Sequence, residues 1–261
     1  MTGLGHNTVD MTNTANSTST IDTSTTSPGD TSTTANSSDI AGPTGADPDV
    51  SFDTRPLFAQ ALATARAAVG SVSAGQLELS TPCAEFDVRA LLGHLTAVVQ
   101  RVAAVGQGKS AFSVPDTVEG IADDAWLATW DSAIAEQQRV WSDDSVLTTI
   151  ITLPWASLPG SAILGMYTNE VSVHTWDLAQ AVGYQPSWNE GALKLAMQTM
   201  FHALPADGRA EEFEAARANM PEEHRDFTPP FAEVVAVSSD APLIDRLVAW
   251  NGRSPVYPAI G

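Results

Sequence analysis

The chain has 261 residues with 31 acidic and 12 basic side chains, a formal net charge of −19. Such an acidic surface repels phosphate backbones and anionic lipid, which argues against nucleic acid or membrane as a partner. The single cysteine, Cys83, excludes an internal disulfide. With no basic start or apolar core of a signal peptide, this points to a reducing cytoplasm.

Residues 1–50 contain no aromatic residue, Lys, Arg or Glu and are rich in Ser, Thr, Asn, Gly and Asp. That composition cannot bury enough apolar surface to offset the entropy of ordering, so a disordered tail is expected, with Met11 an alternative start. Residues 51–261 fit one domain. No apolar run approaches the ~20 residues that span a bilayer. Pro56 to Val72 predicts a first helix, with Leu57, Ala61, Ala65 and Ala68 at helical spacing. Asp87 is placed as the N-cap of a second helix, Val88 to about Val105, striped by Leu91, Leu95, Val98 and Val102. A third helix is predicted from Asp123 to about Trp141, with Trp126, Trp130, Ile134 and Trp141 as core. Ser145 to Leu153 is β-branched and reads as extended, a hairpin arm or ordered loop closed by Pro154 and Pro159-Gly160. A fourth helix runs from about Ala162 to Val182 and stops at Gly183, and Asn189 caps a fifth that ends before Pro205. Beyond it the pattern weakens: Glu211 to Asn219 can be helical, Phe227 to Ala232 is interrupted by proline, and Pro242 to Asn251 forms a short terminal helix. The fold class is therefore all-α: an antiparallel four-helix bundle with additional C-terminal helices, residues 206–261 forming an irregular extension, and a short β-like connection between helices 3 and 4.

His94 lies at the edge of the second helix's apolar stripe, and Glu170 and His174 stand one turn apart on the fourth helix. Two imidazoles and a carboxylate suit Zn²⁺ or a similar divalent ion, and three protein ligands leave a position for water or substrate. An isolated core histidine is usually only packed, and Glu-x-x-x-His pairs also occur on solvated faces. Here both helices are amphipathic and all three residues lie on or beside the buried stripe, where an unpaired carboxylate is costly. His6 lies in the tail, His202 near a helix end and His224 in a charged stretch. Asp177, one turn past His174, either accepts that ring's second N–H or pairs locally. Tyr167 faces the site or packs in the core, the latter preferred. Cys83 precedes the second helix and, at about 10 Å of helix rise from His94, is a poor fourth ligand.

The run Thr81-Pro82-Cys83-Ala84-Glu85-Phe86-Asp87-Val88-Arg89-Ala90-Leu91-Leu92-Gly93-His94-Leu95 resembles the signature opening the second helix of mycothiol-dependent maleylpyruvate isomerase-like proteins, in the DinB/YfiT-like superfamily. Glu170-Val171-Ser172-Val173-His174-Thr175-Trp176-Asp177-Leu178-Ala179 is similar to the family's Glu-x-x-x-His-x-Trp-Asp-Leu-Ala helix. Leu247 to Pro255 resembles the close of an uncharacterised metal-binding subgroup. Across residues 55 to 255 the resemblance implies a DinB-like bundle and a divalent metal held by His94, Glu170 and His174. It also implies a low-molecular-weight thiol, mycothiol or a similar one, used in isomerisation or S-transfer. The chain departs from the isomerase after Pro205, where too little sequence remains for that enzyme's C-terminal α/β domain. The expected function is thus a metal-dependent thiol transferase or isomerase. The alternatives are a metal-dependent hydrolase with Asp177 as base, or a non-catalytic protein binding metal or a small ligand. Bundles of this kind often pair, so a homodimer is an open expectation with no residue marking its interface.

Overall fold

The computed structural model describes residues 52–153, 156–218 and 231–256, and the side chain of residue 216 lies outside that description. The expected tail therefore falls outside the described residues, as do His6, His224, Asn219 and most of the Phe227–Ala232 stretch. The described elements, in order, are α1 (Arg55–Ser71), α2 (Val88–Gly106), α3 (Trp126–Val140), α4 (Ser145–Thr148), β1 (Ile150–Leu153), β2 (Ala156–Pro159), α5 (Gly160–Val182), α6 (Glu190–Ala203), α7 (Arg209–Ala218) and α8 (Leu243–Trp250). Helices dominate, and β1 and β2 form a two-stranded antiparallel ribbon pairing Ile150 with Pro159 and Leu153 with Ala156.

Four helices close a ring: α1 packs on α3 and α5, and α2 packs on the same two. Leu91, Leu95, Val98 and Val102 are completely buried inside it, with Phe58, Leu62, Trp130 and Trp141. The ring is not a simple up-and-down bundle. Arg55 donates to the carbonyl of Trp141 and Arg66 pairs with Asp131, so α1 and α3 run in opposite directions. Arg89 pairs with Asp123 while the Trp141 indole donates to the carbonyl of Val102, so α2 and α3 run in the same direction. Thr54 bonds Ser161 and Gln76 bonds Val182, which makes α1 and α5 parallel and leaves α2 and α5 antiparallel. Parallel neighbours need a connection spanning the bundle's length. Residues 107–125 supply it, and this crossover passes beside the candidate site.

α5 is buried almost all round. Its inner face joins the bundle core, while Val173 and Trp176 on its outer face pack with Leu193, Met197, Ile244, Leu247 and Val248 from α6 and α8. A helix without a solvent face carries its polar residues only where they are paired.

Local chemistry sets the helix ends. Asp87 accepts the N–H of Ala90 at 2.8 Å and Asn189 that of Ala192 at 2.9 Å, each an N-cap as expected. Gly183 ends α5 with φ +71°. Two expectations need correction. Ser145–Thr148 is a helical turn, because the Asp143 carboxylate accepts the N–H of Ser145 and the carbonyl of Ser145 takes that of Thr149; only Ile150–Leu153 is extended. α2, at 19 residues, is long and apolar enough to cross a membrane by length and composition alone, but the bundle buries 78% of that window.

Candidate metal centre

The antiparallel contact between α2 and α5 brings His94, Glu170 and His174 together. Glu170 Oε1 lies 3.4 Å from His94 Nε2 and 3.6 Å from His174 Nε2, and the three ligand atoms all fall within 4.8 Å of one another. Those separations exceed a good N–H···O hydrogen bond. They match the ~3.4 Å edge of a tetrahedron built on bonds of about 2.1 Å to a central Zn²⁺.

The outward nitrogens fix which way the rings face. His94 Nδ1 lies 2.9 Å from the Asp116 carbonyl and His174 Nδ1 lies 3.0 Å from Asp177 Oδ2. Both partners can only accept, so each Nδ1 carries the proton and each Nε2 turns toward Glu170. This is the support expected around metal-bound imidazoles. The donor set and its orientation therefore fit a divalent ion.

The sequence around each residue explains its position. Gly93 lies under the crossover, and a Cβ there would meet the carbonyl oxygen of Val118 at 2.5 Å. Its absence lets Val118 donate to the Gly93 carbonyl at 3.1 Å and sets the Asp116 carbonyl against His94. The preceding loop folds back on α2 through a bridge between Ser80 and Asp87, with Thr81 donating to the carbonyls of Cys83 and Phe86. Phe86 then stacks on His94 (ring centroids 4.9 Å apart) and meets His174 edge-on. His94 and His174 are buried, whereas 30% of the Glu170 side chain remains exposed and marks the accessible edge.

The electrostatics follow from burial against pairing. Burial works to raise the Glu170 carboxyl, but the facing imidazoles of His174 and His94 outweigh it and hold the group well below the carboxylate range. Burial pulls the His174 imidazole down, yet Asp177 and then Glu170 outweigh it and lift it to about 9. Without metal, the centre thus pairs an ionised Glu170 with a protonated His174 at neutral pH.

Asp177 is completely buried, and its Oδ2 lies 3.0 Å from His174 Nδ1. It also accepts Arg253 Nε at 2.9 and 3.0 Å, a partner whose role sequence reasoning missed although the residue stands in the C-terminal motif. Phe86, equally missed, sits in the quoted opening signature. Asp116 acts through its backbone, so no side-chain pattern marks it. Cys83 lies nearer than helix rise alone implied, because the loop doubles back. Its sulfur falls within 4.8 Å of a ligand atom of His174 and of Asp177, but outside the His94–Glu170–His174 set. Burial, then Asp177, pushes its thiol up. The Tyr167 hydroxyl is buried with no hydrogen-bond partner among the described residues, and burial pushes it up to about 12. His202 is exposed on α6, away from this group.

Residues 58–179 match the family described as mycothiol maleylpyruvate isomerase N-terminal domain. The match takes in His94, Glu170, His174 and Asp177 and ends well before Arg253. Uncharacterized proteins from two strains of Mycobacterium tuberculosis are each 26% identical over 188 residues, covering 72% of this chain and 91% of the relative. No solved structure gives a significant match.

Proposed function

We propose that this protein is a metal-dependent enzyme that holds Zn²⁺ or a related divalent ion on His94, Glu170 and His174. It acts with a low-molecular-weight thiol of the mycothiol type in transfer to, or isomerisation of, a small molecule. The observation that carries this reading is the spacing of two Nε2 atoms around one carboxylate oxygen, 3.4 and 3.6 Å, with both Nδ1 atoms occupied by acceptors. A divalent ion on that donor set supplies a cationic centre that favours thiolate over thiol near neutral pH.

The chain's own residues do the rest. Phe86 covers the imidazoles and keeps water from that side, while the exposed edge of Glu170 gives access. Tyr167, one turn from Glu170, offers a buried hydroxyl that stays protonated at neutral pH and can donate to a polar group of a bound molecule. Cys83 is no substitute for an external thiol, because burial raises its thiol and so reduces the thiolate it offers. A reducing cytoplasm is the compartment in which both thiols persist.

Hydrolysis is less favoured. It needs a base beside the bound water, and Asp177 is fully buried and committed to His174 and Arg253.

The test is a titration of metal-stripped protein with Co²⁺, followed by a cysteine-derived thiol. A sulfur-to-cobalt charge-transfer band in the wild type, absent from Glu170→Gln and His174→Ala, is the expected result. Full metal occupancy in His174→Ala refutes the ligand assignment. Metal binding with no thiol band, and no turnover of thiol conjugates, assigns the protein to the non-catalytic binders.

A further inference from the structure

We propose that the C-terminal segment from Leu243 to Arg253 is a working part of the metal centre, and that metal binding between α2 and α5 and docking of this segment stabilise each other. The proposal rests on the metal reading above and extends it to residues outside the matched family domain.

Two links, one buried and one partly buried, join the segment to the ligand-bearing face of α5. Asn169, next to Glu170, exchanges reciprocal carboxamide hydrogen bonds of 2.9 Å with Asn251, and both residues are 2% exposed. Arg253 Nε reaches both oxygens of Asp177, the carboxylate that holds His174 Nδ1. One link therefore fixes the backbone beside Glu170, and the other fixes the ring of His174.

α8 is built to aim these groups. Its end is a two-bond C-terminal turn: Arg253 donates to the carbonyl of Val248 at 2.9 Å and Gly252 to that of Ala249 at 3.0 Å. Gly252 has φ +81°, the left-handed conformation this turn requires. Asn251 also donates to Leu247, so its side chain is held at both ends. The apolar face of α8, through Ile244, Leu247 and Val248, seats the helix against α5 and α6.

The coupling follows from charge and geometry. Asp177 is 0% exposed, and a carboxylate there without Arg253 is a buried charge lacking its counter-ion. It then no longer holds the imidazole of His174 in the orientation that turns Nε2 toward Glu170. In the other direction, an ion on Nε2 polarises the ring and strengthens the Nδ1–H···Asp177 bond, which tightens the carboxylate and the arginine behind it. Arg253 is accordingly a positioning residue. Loss of such an outer partner typically weakens metal binding about 10- to 100-fold.

The experiment uses the full chain as wild type, Arg253→Ala, Arg253→Lys and His174→Ala. Zn²⁺ affinity is measured by competition with a chromophoric chelator, and amide exchange over residues 243–250 is followed with and without Zn²⁺. The expected result is a drop of about 10- to 100-fold for Arg253→Ala and a smaller one for Arg253→Lys, which keeps the charge but not the Nε contact. In the wild type, Zn²⁺ slows exchange in α8. That measurement needs no variant, so it stands even if Arg253→Ala fails to fold. Wild-type affinity in Arg253→Ala, or exchange in α8 indifferent to Zn²⁺ in a wild type that binds it, overturns this proposal alone. A wild type that binds no Zn²⁺ overturns the metal reading with it.

Discussion

The bundle has two seams of similar depth and opposite chemistry. Between α3 and its neighbours, Trp130 and Trp141 are almost completely buried, and the Trp141 indole donates to Val102. Between α2 and α5, the same depth holds two histidines, Asp177 and the inner part of Glu170. The aromatic seam needs only shape and apolar area, whereas the polar groups of the other seam are held by partners, on α5 itself for His174 and from elsewhere in the chain for Asp177 and His94. Polar groups at that depth are tolerated through pairing.

The largest expected effect sharpens that contrast. Trp130→Ala should cost about 3–5 kcal/mol in chemical denaturation while the folded protein keeps its metal stoichiometry. His174→Ala should do the reverse: the helical signal survives and Zn²⁺ affinity falls by about a hundredfold or more, the scale of losing one ligand. If both variants lose fold and metal together, the two seams are not separable.

Gly93→Ala tests the point where crossover and site meet. A Cβ at 2.5 Å from the Val118 carbonyl forces the crossover outward and takes the Asp116 carbonyl away from His94. About 1–3 kcal/mol of stability should be lost, with weaker metal binding alongside. Unchanged metal affinity in that variant removes Asp116 from the support of His94.

The slope of stability with pH should differ with and without metal. In chelated protein the His174 imidazole is raised from 6.5 to about 9, so its contribution is complete below pH 6.5 and is lost as pH rises through 9. Glu170 is depressed, so its contribution is present above its usual value of 4.5 and lost as pH falls through the lower folded value. A metal ion needs both imidazoles unprotonated, so the stabilisation it adds should grow between pH 6.5 and 9. Calorimetric scans across that range, with Zn²⁺ or with chelator, give the two slopes; parallel curves would contradict metal binding at His174.

Asp87→Ala, which removes the cap of α2, sets the lower end of the scale. A loss of about 1 kcal/mol in thermal unfolding, with no change in metal binding, is expected. A loss of metal in this variant would mean that the start of α2, not its middle, controls the site.

The sequence by itself determined the helices and their caps, from the apolar spacing of Leu91, Leu95, Val98 and Val102 to Asp87, Asn189 and Gly183, because periodicity and capping are local. It also determined which two helix faces carry His94, Glu170 and His174. Helix direction around the ring, the return of the Cys83–Phe86 loop and the reach of Arg253 to Asp177 were decided only in three dimensions. Those contacts join residues far apart in the chain, and no local spacing records them. The helical start of Ser145–Leu153 was misread for a related reason, since one carboxylate at Asp143 outweighed the β-branched preference of the residues after it.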